Sequence, residues 1–104
     1  MSEVAEYVLF WSLIGSLDSA FMARQGKGSR DPDGWGERFF SAIEQEHAEW
    51  VQDMTSIYAT ARRLLFLHSM QRPGWEFGVG LYRRPEGFLR TVLMLMRGPT
   101  HSAN

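Results

Sequence analysis

Residues 37–70 read ERFFSAIEQEHAEWVQDMTSIYATARRLLFLHSM, and within them Phe40, Ile43, His47, Trp50, Met54, Ile57, Ala61, Leu64 and His68 recur in alternating steps of three and four. That spacing sets these side chains on one helical face as a heptad seam. Glu44, Glu46, Glu49, Gln52 and Asp53 fall on the other faces, and neither Pro nor Gly interrupts the run before Pro73. The pattern predicts one long amphipathic helix over about 37–70, a rod of ~50 Å at 1.5 Å per residue. In a chain of 104 residues such a rod calls for a partner along its seam. Phe40, Ile43, His47, Trp50, Met54, Ile57 and Leu64 are therefore expected to join two copies as a homodimer. The alternative is a break near Ser56 that folds two shorter helices into one monomer.

Upstream, a first helix is expected over about 2–25, with Ser2 as its cap, Glu3 and Glu6 in its first turn, and Arg24 followed by Gly26 at its end. Val4, Val8, Trp11, Ile14, Leu17 and Phe21 follow helical spacing, while Leu9, Phe10 and Leu13 widen the apolar surface, so this helix must be covered on more than one side. Its apolar run at 7–17 is too short to span a bilayer, which takes about 20 residues. Residues 26–36, GKGSRDPDGWG, read as a loop, with the second helix starting near Glu37. Downstream of Pro73, alternation of Phe77, Val79 and Leu81 predicts a short extended segment over about 75–82. Pro85 at the start and Gly98 then Pro99 at the end bracket a C-terminal helix over about 85–97. The expected fold is a single all-α domain over 1–104, a helical hairpin or bundle built on the long helix.

Composition narrows the function. The chain has no Cys, which removes disulfides, thiolate metal sites and Cys nucleophiles, and fits a cytoplasmic protein. The net charge of −1 conceals an asymmetry. Residues 1–59 carry ten acids against four bases, for −6, and residues 60–104 carry seven arginines against two acids, for +5. Ten of the eleven bases are Arg, whose planar fork suits carboxylate and phosphate.

The motifs that could carry chemistry are incomplete. Glu44 and His47 have the E-x-x-H spacing that aims two ligands at one metal in four-helix di-iron proteins, but no second such pair exists. Asp31, Asp33 and Gly36 begin like a calcium loop, yet the twelfth position is Ala42 rather than Glu. GKGS at 26–29 lacks the upstream Gly of a phosphate loop. No G-x-S-x-G elbow is present. No enzyme, cofactor or bound metal is expected.

Interaction residues are easier to find. Trp with Arg dominates interface hot spots. The C-terminal arginines Arg62, Arg63, Arg72, Arg83, Arg84 and Arg90, with Trp35, Trp75 and Tyr82, are expected to bind a larger protein with an acidic surface, the chain acting as adaptor or inhibitor. The alternative partner is a nucleic acid, held by the same arginines with Trp75 and Tyr82 stacking on bases. A sequence pI near 6.3 weighs against it, and a metal-dependent enzyme centred on Glu44 and His47 is the remaining alternative.

Overall fold

A computed structural model of the chain describes residues 3–70 and 82–98. Among the described residues there are four α-helices and one 3₁₀ segment, with no strand: α1 at Glu3–Arg24, α2 at Trp35–Glu46, the 3₁₀ segment at Ala48–Asp53, α3 at Met54–Ser69 and α4 at Pro85–Arg97. None of these helices is long and apolar enough to cross a membrane. The expected extended segment at 75–82 lies outside the described residues except for Tyr82, which is helical rather than extended.

α1 ends as its sequence dictates. Gly26 takes a positive φ of 76°, the left-handed conformation that glycine adopts without penalty. Lys27 N–H then bonds Met22 C=O at 2.9 Å and Gly26 N–H bonds Ala23 C=O at 3.1 Å, which closes the last turn and reverses the chain. The buried face of α1 is Phe10, Leu13, Ile14, Leu17 and Ala20, while Val8 and Trp11 stay exposed. Of the expected helical series Ile14 and Leu17 are buried and Phe21 half-buried, and Phe10 and Leu13, expected to widen the apolar surface, are buried with them, so the face is turned away from Val8 and Trp11.

The second helix starts at Trp35, two residues before the expected position. An Asp31–Gly34 turn, closed by Gly34 N–H to Asp31 C=O at 2.8 Å, delivers the chain to it. Gly34 occupies the N-cap and has no side chain to satisfy the first amides. Ser16 of α1 does so instead, its hydroxyl accepting the Gly36 N–H at 2.8 Å. The approach is very close. A Cβ added to Gly36 would sit 2.1 Å from the Ser16 carbonyl oxygen, so only glycine lets the two helices meet here.

The rod expected over 37–70 is interrupted at His47, whose backbone leaves the helical region at φ −138°, ψ 51°. Six residues of 3₁₀ helix follow, none of them buried, before α3 begins. The break lies nine residues before Ser56, and neither Pro nor Gly marks it. Its physical reason is burial. A continuous rod would leave half its seam in water, whereas the bend lets Phe40 and Ile43 of α2 and Ile57, Ala61 and Leu65 of α3 enter one core at almost no exposure. Burying a single such side chain is worth about 1.5–3 kcal/mol, more than the helical hydrogen bonds given up at the bend, at about 1 kcal/mol each.

α1 and α4 each pack on both α2 and α3, so the two seam halves are covered from two sides. Phe21 of α1 stacks on Tyr58 of α3 with ring centroids 4.0 Å apart and also meets Phe40 of α2 at 6.0 Å. Phe88 of α4 meets Phe39 at 5.8 Å and Tyr82 at 4.6 Å. α4 has the expected bounds, with Pro85 in its first turn and Gly98 at a φ of 72° closing it.

The glycines of the α1–α2 crossing should therefore respond in opposite directions. Gly36→Ala is expected to lower stability by about 3 kcal/mol through overpacking against backbone, and Ser16→Ala by about 1 kcal/mol through loss of the cap. Gly15→Ala, with nothing within 4 Å of the added methyl, should raise it by about 0.5–1 kcal/mol. Urea midpoints at unchanged m-value measure all three.

Candidate partner-binding surface

Most charges on the α1 side of the molecule are consumed by one another. Glu37 is buried at 7% exposure and receives both fork nitrogens of Arg24, at 2.7 and 2.9 Å. Arg30 from the loop adds a contact at 2.9 Å and Ser41 Oγ another at 3.1 Å. Arg24 also donates to both oxygens of Glu44, at 3.0 and 3.1 Å, and rests over the Phe40 ring at 5.3 Å. The hydrogen bonds from Arg24 hold the Glu37 carboxyl at about 2, against the contrary pull of its burial. Burial works against the charge on Arg24, but its bonds to Glu37 and Glu44 outweigh this and raise its pKa.

A second cluster joins α1 to α3. Asp18 accepts the Tyr58 hydroxyl at 2.6 Å and Arg62 Nε at 3.0 Å. Burial first, and the neighbouring Asp18 second, push the Tyr58 hydroxyl up, while the Asp18 hydrogen bond raises Arg62. Between these clusters a polar cleft of ≈ 330 Å³ opens beside Ser16, Ser19, Ser29, Asp31 and Glu37. No histidine lines it.

The expected interaction residues divide accordingly. Trp35 is turned inward, its Nε1 donating to the Tyr82 carbonyl at 2.7 Å and its ring lying against Phe39 and Phe88. Tyr82 is 1% exposed, and burial pushes its hydroxyl up to about 12. It lies 3.4 Å from His68 Nε2 and cannot stack on a base. Arg62 is engaged with Asp18. Arg72 and Trp75 lie outside the described residues. Arg63, Arg83, Arg84 and Arg90 are exposed and make no ion pair among the described residues.

The dimer seam needs a like correction. Phe40, Ile43 and Ile57 are fully buried within the chain, while His47, Trp50, Met54 and Leu64 are half-buried. The seam is spent on the chain's own core because α1 and α4 supply the cover that a second copy was expected to give. Glu44, one half of the E-x-x-H pair, faces Arg24, and no group of three His, Asp or Glu side chains suited to a metal occurs among the described residues.

The surface that remains is on α4. Arg90, Met94 and Arg97 follow one another at steps of four and three on its outward face, all exposed, with Leu95 beside them. Met94 is 69% exposed and Leu95 54%. Arg97 reaches the 3₁₀ segment, its guanidinium lying 5.6 Å from the Trp50 ring. That segment and the residues just before it carry Glu46, Glu49 and Asp53, which are exposed and unpaired among the described residues, and the exposed Val51. Arg97, Met94 and Leu95 were absent from the expected set, although the spacing 90, 94, 97 on a helix bracketed by Pro85 and Gly98 would have revealed the stripe. A second exposed apolar patch joins Val8 and Trp11 of α1 to Phe66, Leu67 and Met70 at the end of α3, with Trp11 and Phe66 edge to face at 5.8 Å.

Comparison of the chain with protein families, curated proteins and solved structures finds no match.

The Glu37 cluster predicts a specific acid response. Its folded pKa of about 2 lies below the ordinary value of 4.5, so the stabilisation it provides is full above about pH 5 and is lost as pH falls from there to about 2. The loss should amount to about 3 kcal/mol. Urea unfolding at a series of pH values should show this limb in the native chain and a much shallower one in Glu37→Gln, whose overall stability is lower because Arg24 keeps only the exposed Glu44 as its carboxylate.

Proposed function

We propose that the protein is a non-enzymatic protein–protein interaction module, an adaptor or inhibitor, that docks an acidic protein surface through the outward face of α4. The observation that carries this reading is the stripe of Arg90, Met94 and Arg97 with Leu95 beside it. Met94 stands in water between two arginines that form no ion pair among the described residues, with the exposed Leu95 on the flank of the same helix. A patch of this kind, apolar in the middle and charged at its edges, has the composition of an interface rather than of a solvated face. Arg is suited to it because its fork binds carboxylates in pairs and its stem covers apolar surface. Met adapts to the shape it meets.

The core argues in the same direction. Every other arginine on the α1 side has been given a carboxylate: Arg24 and Arg30 have Glu37, and Arg62 has Asp18. Arg38 faces Glu86 at 3.5 Å. Among the described residues the arginines without one are gathered at α4 and its approach, Arg83, Arg84, Arg90 and Arg97, together with Arg63 on α3.

The probe is an amphipathic Glu/Leu helical peptide titrated into the fluorescently labelled full chain at nanomolar concentration. Binding should be saturable, should weaken with added salt, and should fall at least about tenfold in the R90E/R97E variant, as removal of interfacial charge predicts. Random-sequence duplex DNA should not bind at physiological salt. Absence of peptide binding overturns the proposal. Tight DNA binding with a log–log salt slope of about −0.9 per neutralised phosphate replaces it with the nucleic-acid reading.

A further inference from the structure

The exposed arginines of α4 end beside exposed acids of the same chain, and the two sets do not pair. Arg97 sits against Trp50, the middle of the segment that carries Glu46, Glu49 and Asp53, yet none of the three acids forms an ion pair with any described arginine. Within one chain Arg97 rests on the Trp50 ring, and none of the described arginines pairs with the three acids. A second copy can bring the two sets together.

Resting on the reading of α4 as a docking face, we infer that the acidic surface it docks is the 46–53 segment of a second copy of this chain, forming a two-fold dimer. Two-fold symmetry makes this arrangement self-consistent, because a contact of patch A on one copy with patch B on the other is repeated in reverse across the axis. A surface of one sign would meet itself and repel. Here the boundary between signs runs between Arg97 and Trp50, and an axis near that boundary sets each Arg stripe on the partner's acids. Dimensions agree. Arg90 to Arg97 spans ~10 Å at helical rise, and residues 46–53 span at most ~14 Å at the 3₁₀ rise. Met94, Leu95 and Val51, all exposed, then form the apolar centre, and the four charged clusters form its rim, the usual layout of a stable interface. This contact differs from a helix-seam dimer, since Phe40, Ile43 and Ile57 stay in the core of each copy.

Charge exchange tests it. The full chain should sediment at twice its 12.0 kDa at tens of micromolar, with self-association weakened about tenfold or more between low and high salt. R90E/R97E makes both patches acidic, and E46R/E49R makes both basic. All four positions are exposed, so circular dichroism should report unchanged helix content in both variants. Each variant alone should be a monomer, weakened at least about 100-fold relative to the native chain, and the equimolar mixture should recover a 1:1 dimer. A third variant, M94S/L95S, should weaken the native dimer without altering its salt dependence. Self-association is overturned if the native chain is a monomer at about 100 µM, if either charge variant dimerises as the native chain does, or if the mixture stays monomeric. The Glu/Leu peptide separates the two failures. A monomeric native chain that still binds the peptide through Arg90 and Arg97 loses only the second copy as partner, and one that does neither loses the docking face as well.

Discussion

Glu37 is a carboxylate held where water barely reaches it, and the way it is neutralised fixes how the first half of the chain closes. An unpaired buried carboxylate would cost several kcal/mol. Arg24 must therefore stand at the end of α1 within reach of the first turn of α2, and Arg30 must return from the loop to the same oxygens. Both conditions are met only if the loop doubles back and brings Gly36 down onto Ser16. Once α2 is set on α1 in this way, Phe21 reaches Phe40 on one side and Tyr58 on the other. α3 is then drawn in beside α1, and Asp18 comes within reach of Tyr58 and Arg62. One ion cluster and one glycine thus determine the placement of three helices.

How much of this was legible in the sequence differs from element to element. The ends of α1 and α4 were, because Gly26, Pro85 and Gly98 act through their own backbone and need no distant neighbour. The break at His47 was not. Helix propensity through residues 44–53 is ordinary, and the heptad spacing of Phe40, Ile43, Ile57 and Leu64 is the same whether the stripe faces a second chain or its own. What decides between these is the amount of apolar cover available elsewhere, and α1 and α4 provide it only through contacts separated by many residues. Ser16 as the cap of α2 was illegible for the same reason, since a capping side chain is normally sought next to the helix it caps.

The candidate surface shows a parallel division. Charge bookkeeping placed an excess of arginine in residues 60–104, and Arg63, Arg83, Arg84 and Arg90 do remain exposed. It could not separate Arg62 from Arg63, adjacent in sequence, because the difference is an aspartate on another helix. Trp35 and Tyr82 failed as exposed anchors for one shared reason: the indole of one closes onto the carbonyl of the other. Trp35 opens α2 and lies half-buried against Phe39 and, from α4, Phe88.

The juxtaposition of opposite charges near Trp50 has a local origin that makes it stable in each chain. α4 ends where α3 begins, as the Arg97 contact with Trp50 shows. A cation in the last turn of a helix and anions just before the first turn of another each complement a helix dipole, by about 0.3–1 kcal/mol apiece. Arg97 satisfies the first condition and Asp53, the residue before α3, the second, without any need to touch one another. These two charges are thereby favoured by the helices they flank, and both stay exposed. The positions that suit the two dipoles of one chain thus place a cation and an anion close to Trp50, the juxtaposition on which the proposed pairing with a second copy rests.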